Sequence, residues 1–281
     1  MTFNANQFRL EYGRIGANNS LQATELQESE KSACNRSILY HYTSFDALKK
    51  ILTNKSLKFN RIDRVNDRLE HSVFGEDELS KLVFVSCFST EQIESIPMWS
   101  IYGKNKNGIR LTIELDKPKF IDSFLHKQGK TIVPNSSEEI LCWYGKNNMP
   151  CVDWYYTVNM KDVVYDIDAV KRNPIKYGDG DDVWFNLTAM ASIKRVEWQY
   201  EHECRMIATL RTSRDNVSAP DIDYILVPIK FDNIKKLSII FNPWMDTDTK
   251  EEIKRFINSI ADLLTNTFFE DSILTEEITK I

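Results

Sequence analysis

Asn, Gln, Ser and Glu dominate Met1 to Ser37, and few apolar positions there recur with any period. That stretch reads as a polar arm carrying one short helix over Leu21 to Lys31. At Ile38 the texture changes. Ile38-Leu39-Tyr40-His41-Tyr42-Thr43 has the character of a strand, and Ser44 is placed to cap a helix. Phe45, Leu48, Ile51 and Leu52 then recur at helical spacing and give that helix one buried face. Leu57 to Asn60 predicts a second short strand. In Leu82 to Ser89 the residues Leu82, Val83, Phe84 and Val85 are apolar on both faces, which places this strand inside a sheet rather than at its edge.

Further along, Pro97 and Gly103 bracket a helix of two turns or less, proline suiting the first turn and glycine the position past the end. Ile109, Leu111, Ile113 and Leu115 alternate with Arg110, Thr112 and Glu114, as in a half-buried strand. Lys161 to Ile167, Glu197 to Thr209, Tyr224 to Lys230 and Leu237 to Phe241 supply further strands. Ile253, Phe256, Ile257, Ile260, Leu263 and Leu264 form the stripe of a C-terminal helix. Strands outnumber long helices, and no regular β-α alternation runs through the chain. The pattern predicts an α+β fold, a single domain over residues 38–281 after an arm over residues 1–37. Two stretches read as insertions. Pro134 to Tyr156 gathers Trp143, Tyr144, Trp154, Tyr155 and Tyr156 in a loop that either packs on its own domain or stacks on a ligand. Pro174 to Asp182 is an acidic, turn-rich loop without calcium-hand spacing.

Composition narrows the functions. Lys and Arg total 36 against 41 Asp and Glu, a net charge of -5, which argues against a chain whose main task is to sheath duplex nucleic acid. A local basic groove stays open. No apolar run approaches the roughly 18 residues that span a bilayer, and Met1 to Leu10 lacks the features of a secretory signal. A cytoplasmic protein is expected. The five cysteines are scattered without a Cys-x-x-Cys pair and the four histidines lie apart, so reduced thiols and no metal are expected.

Three segments carry the candidate chemistry. On the first strand His41 and Thr43 share one face, an imidazole beside a hydroxyl able to hold ribose hydroxyls or a phosphate, while Tyr40 and Tyr42 turn to the core. A plain strand-end histidine is the alternative. Trp99 and Tyr102 stand three apart on the short helix and form either a wall for an aromatic ring or packing beneath the helix. In Trp198-Gln199-Tyr200-Glu201-His202-Glu203-Cys204-Arg205, taken as a strand, Glu201, Glu203 and Arg205 point one way. Two carboxylates and a guanidinium in a row are either a site that handles developing charge or a surface ion-pair ladder. Asn66-Asp67 with Glu70 reads as a turn or helix cap.

In chain order these motifs resemble a bacterial family catalogued as domain of unknown function 2971. The matching pieces are Leu39-Tyr40-His41-Tyr42-Thr43, Asn66-Asp67 with Glu70, Ser86-Cys87-Phe88-Ser89, Trp99-x-x-Tyr102 with Gly108, and Trp198-x-x-Glu201-x-Glu203-x-Arg205, running from Ile38 to about Pro243. That family's layout is similar to the ADP-ribosyltransferase fold of the His-Tyr-Glu variety, a split sheet of mixed and antiparallel strands with flanking helices. The resemblance implies NAD as co-substrate and a macromolecular acceptor, protein or nucleic acid, in a toxin or antiphage effector with a cognate regulatory partner. It implies that His41 with Thr43 grips the adenosine-side ribose, that Tyr102, or Trp99 in its place, stacks on nicotinamide, and that Glu203 or Glu201 binds the nicotinamide ribose. Arg205 would orient Glu203 or meet the pyrophosphate. A non-catalytic module that binds a nucleotide, nucleic acid or protein is the alternative. A nuclease built on His41 and His202 ranks below both.

Overall fold

Alternation along Ile38–Ser44 sends Leu39 into one face of a sheet and Tyr42 into the other, and this strand, β1, has neighbours on both edges. The computed structural model describes residues 36–67, 77–103, 106–116, 154–166, 176–177, 184–185, 187–212, 222–260 and 266–275. The predicted helix at Leu21 to Lys31, Glu70, Trp143, Tyr144, most of the acidic loop, Leu263 and Leu264 lie outside the described residues.

Ser44 accepts a hydrogen bond from the Ala47 amide at 3.2 Å and starts α1 (Phe45–Asn54), which buries Phe45, Leu48 and Leu52. Then come β2 (Ser56–Arg61), a 3-10 turn at Ile62–Arg64, a helical turn at Asp77–Ser80 and β3 (Val83–Ser89). Ser95 caps α2 (Ile96–Tyr102), with Pro97 in its first turn and Gly103 at its end, as the sequence predicts. The chain continues through β4 (Gly108–Leu115), β5 (Trp154–Asp162), β6 (Val164–Tyr165), β7 (Lys176–Tyr177), β8 (Trp184–Phe185) and β9 (Ile193–Lys194). A 3-10 helix, Val196–Glu201, leads into β10 (Glu203–Thr212), β11 (Tyr224–Pro228), β12 (Ile234–Phe241), α3 (Thr247–Ser259) and β13 (Thr267–Asp271).

Nine of these strands form one sheet in the order β11-β2-β3-β1-β4-β12-β13, with β10 pairing β3 and β5 pairing β10. Its pairs are antiparallel except for β12 with β13, so the sheet is mixed and the fold α+β, as the sequence predicts. The main core lies under α1 and α3 and includes Leu39, Phe59, Phe84, Leu111, Ile239 and Ile253. On the opposite face Tyr42 and Ile240 pack with Met98 and Trp99 of α2 in a smaller cluster. The tyrosine side of β1 is therefore buried, but not in the main core: Tyr42 lies under α2, and Tyr40 lies 4.2 Å beneath the Arg110 guanidinium.

A parting of strands makes room for a site. One edge of β3 is paired along its length by β10, from Glu203↔Ser89 to Thr209↔Val83. The other edge meets β1 only at Tyr40↔Ser89 and β2 only at Asn60↔Val85 and Arg61↔Phe84. Among the described residues, Ser86, Cys87 and Phe88 have no ladder partner on that side, and the sheet opens there.

Two predicted elements differ. Glu197 to Glu201 winds as a 3-10 helix and not as a strand, and His202 follows in the left-handed region at φ 42° before β10 begins. Trp154, Tyr155 and Tyr156, expected in an inserted loop, form the start of β5, paired with Thr212, Arg211 and Leu210 of β10.

Candidate functional site

A cleft of about 210 Å³ occupies the parting between β1 and β2, floored by the open edge of β3. His41 stands where the strands diverge. Its Nδ1 lies 2.8 Å from the Cys87 carbonyl oxygen, and because a carbonyl only accepts, Nδ1 carries the proton. The imidazole thus takes up a backbone group that no described strand reaches. Burial lowers its pKa against the opposing pull of the Cys87 bond, so the ring is neutral at pH 7 and Nε2 is left as an acceptor. Its ring tilts against Phe88 at 5.1 Å.

Tyr102, the last residue of α2, reaches the cleft because the helix ends there. The close approach of Gly103 and Gly108 seats that end: a Cβ on Gly108 would fall 2.2 Å from the Cα of Gly103. The phenol donates to Glu201 Oε1 at 2.7 Å and accepts from Asn66 Nδ2 at 3.2 Å. Burial and the Glu201 charge push its pKa far above the ordinary tyrosine range, so it stays a donor.

Glu201 and Glu203 both line the cleft. They meet there although Glu201 closes a 3-10 helix and Glu203 opens a strand, the left-handed His202 turning the chain between them. Arg205 grips Glu203 with both tines of its guanidinium, Nε to Oε1 at 2.8 Å and Nη2 to Oε2 at 2.9 Å, and its Nη1 donates to the Ala191 carbonyl at 2.9 Å. Lys194 donates to Oε2 of Glu203 at 3.2 Å and to Oε2 of Glu201. The Glu203 amide donates to the Tyr165 hydroxyl at 2.8 Å and pins the start of β10.

The two acids are driven apart. Burial pushes Glu203 up, but the charges of Arg205 and Lys194 and the Arg205 hydrogen bond outweigh it and hold its pKa at about 2. For Glu201, burial and the Glu203 charge raise the pKa, opposed by Lys194 and the Tyr102 hydrogen bond. Glu203 is thus the more strongly held anion and Glu201 the more readily protonated of the two.

Of the sequence candidates, His41, Tyr102, Glu201, Glu203 and Arg205 line this cleft. Thr43 and Trp99 do not. Thr43 is buried outside it, and Trp99, 1% exposed, packs edge-on to Tyr42 at 5.0 Å and donates from Nε1 to Glu94 at 2.9 Å. The indole belongs to the small core under α2, so it is not the ring-stacking wall. Arg205, also 1% exposed, is committed to Glu203 rather than turned to a pyrophosphate. His202 is exposed and outside the cleft lining, which removes the two-histidine arrangement. Lys194, Lys58 and Arg64 line the cleft, and Tyr165 meets it through the Glu203 amide, without a motif to announce them. Lys194 sits in a two-residue strand with no periodicity to mark it, and Tyr165 is one tyrosine among eleven. Among the described residues no group of three or more His, Cys, Asp or Glu is arranged to hold a metal ion. Nor is any helix among them long and apolar enough to cross a membrane.

Residues 98–206 match a family model described as "Protein of unknown function (DUF2971)". That span holds the Trp99-x-x-Tyr102 and Glu201-x-Glu203-x-Arg205 motifs and leaves His41 and Asn66 outside, so it is narrower than the run of motifs in the sequence. Among curated proteins nothing matches. Among solved structures the chain is similar to DarT of Thermus sp. 2.9 in complex with NAD+, at 10% identity and a TM-score of 0.32 over 84% of this chain and 96% of that one.

Proposed function

We propose that the cleft binds NAD and that the protein is an ADP-ribosyltransferase-like enzyme acting on a macromolecular acceptor. The observation that carries this reading is the meeting of His41, Tyr102 and Glu203 around one cleft, the set implied by the sequence motifs. Cleavage breaks the bond between the ribose anomeric carbon and the nicotinamide nitrogen. The electron pair leaves with nicotinamide, and positive charge develops on the sugar as in glycoside cleavage. An acceptor nucleophile then bonds to the anomeric carbon and gives up its proton. Glu203 suits the sugar side, being anionic across the physiological range and held by Arg205, so its charge needs no reorganisation. Tyr102 lines the cleft beside it for the leaving ring, and the His41 Nε2 accepts from a ribose hydroxyl.

The cleft volume of about 210 Å³ is below the roughly 300–1,000 Å³ of pockets that swallow a drug-sized ligand. The nicotinamide-ribose end therefore goes inside and the rest of the dinucleotide lies along the open mouth. Lys58 and Arg64, also in the lining, supply positive charge for the pyrophosphate in place of Arg205. The setting we propose is a cytoplasmic toxin or antiphage effector with a cognate regulatory partner.

The test is pure protein with NAD, read by nicotinamide release, by transfer of labelled ADP-ribose to components of a cell extract, and by calorimetric NAD binding. Release with transfer is expected. Absence of release, transfer and binding together overturns the reading. Binding without release favours a non-catalytic nucleotide-binding module, whose supporting observation is that every carboxyl oxygen of Glu201 and Glu203 already accepts a hydrogen bond from within the protein.

A further inference from the structure

Two carboxylates brought together where water is excluded repel each other, and the first response of such a pair is to retain a proton. In this cleft Lys194 stands between them. Its ammonium touches Oε2 of both Glu201 and Glu203, it is 5% exposed, and it sits 4.6 Å from the centre of the Trp198 ring. The backbone fixes the lysine from two sides, because β9 pairs in parallel with β6, Tyr165↔Lys194, and the 3-10 helix that ends at Glu201 begins two residues later. Besides Lys194, the titratable groups that act on Glu201 are the Tyr102 phenol on α2 and the Glu203 anion on β10, while the Glu201 charge in turn adds to the burial that raises the pKa of Tyr165 on β6 and Tyr200 on its own turn. Lys194 is the cation that most opposes protonation of Glu201.

We propose that Lys194 is the positioning residue of this site: its ammonium clamps the Glu201 and Glu203 carboxylates side by side and offsets the repulsion between them. The lysine touches the two acids and acts on a substrate only through them. Arg205 alone cannot do this, since its fork is aligned on Glu203, and a lysine point charge is suited to share itself between two acceptors. The proposal rests on the NAD reading of the cleft for its kinetic arm only.

The test tracks the side-chain carboxyl ¹³C signals of Glu201 and Glu203 against pH in the full chain, assigned with Glu201→Gln, for the wild type, Lys194→Met and Lys194→Arg. Methionine keeps the stem against Trp198 and removes the charge. The Glu201 midpoint is expected to rise by about one unit or more in Lys194→Met and to return close to wild type in Lys194→Arg. Unmoved midpoints in Lys194→Met overturn the proposal. Where Lys194→Met fails to fold, Lys194→Gln, an uncharged donor, is read in the same way. In NAD turnover the acid limb of the kcat profile should move up with the Glu201 midpoint while KM changes less than about threefold. A uniform loss at all pH values with an unmoved limb also overturns it. A wild-type chain that neither binds nor cleaves NAD removes the functional reading, and the titration still decides the role of Lys194.

Discussion

Glu203 carries two duties in one carboxylate. It neutralises Arg205 and Lys194 in a buried cluster, and it supplies the fixed negative charge of the cleft. Glu203→Gln should therefore lower both activity and stability: NAD cleavage by at least about a hundredfold, and unfolding free energy by about 3–5 kcal/mol because buried Arg205 loses its carboxylate partner and Lys194 one of its two. Urea unfolding at pH 7 beside nicotinamide release under folding conditions measures the two. The sign of the pH dependence comes from the depressed pKa. Wild-type stabilisation by Glu203 is complete above the ordinary carboxylate value of 4.5 and is lost as pH falls towards about 2. The gap between wild type and variant should narrow over that window. A gap that stays constant from pH 7 to pH 2 would remove the assigned charge state. Glu201 has the opposite sign, since its raised pKa favours the native state as it takes up a proton.

At the scale of elements, α2 and β4 meet through Gly103 and Gly108. A methyl group on Gly108 would overlap the Gly103 Cα at 2.2 Å and its carbonyl oxygen at 2.5 Å, both backbone atoms that cannot rotate aside. Gly108→Ala should destabilise by about 1–3 kcal/mol and weaken NAD binding by shifting the end of α2 that carries Tyr102. Denaturation and calorimetry on one preparation check both. Much at this scale is readable from the residues alone. Alternation marks β4, a two-sided apolar run marks β3, and Pro97 and Gly103 mark α2. The segment before β10 reads wrongly as a strand because Trp198 and Tyr200 alternate with polar neighbours. It winds instead, and Lys194, seven positions before Glu201, holds the end of that turn through a contact that no periodicity announces. The parting of β1 from β2 is equally hidden, because which strand borders which is settled by contacts between distant parts of the chain.

For the whole molecule, the C-terminal end is tied to the site's own helix. Glu94, buried just before α2, accepts from Trp99 Nε1 at 2.9 Å, from Ser272 Oγ at 2.7 Å and from the Ile273 amide at 2.9 Å. One carboxylate thus joins α2 to the turn after β13. Glu94→Ala strands three donors and should cost about 2–4 kcal/mol, with faster amide exchange at Ile273 and Leu274 than in β3. Unchanged exchange there would show that the turn is held by other contacts. The same reach explains why the site is only half legible in the sequence. His41, Tyr102, Glu201, Glu203 and Arg205 stand in motifs, while Lys194, which acts on both acids, arrives from β9, a strand of two residues.

The bond from His41 to the Cys87 carbonyl also selects among guests. With its proton committed to the sheet, the imidazole offers only a lone pair, so whatever settles against it must bring a hydrogen. A sugar hydroxyl is welcome at that spot, while a phosphoryl oxygen or a ketone would set one lone pair against another and be turned away.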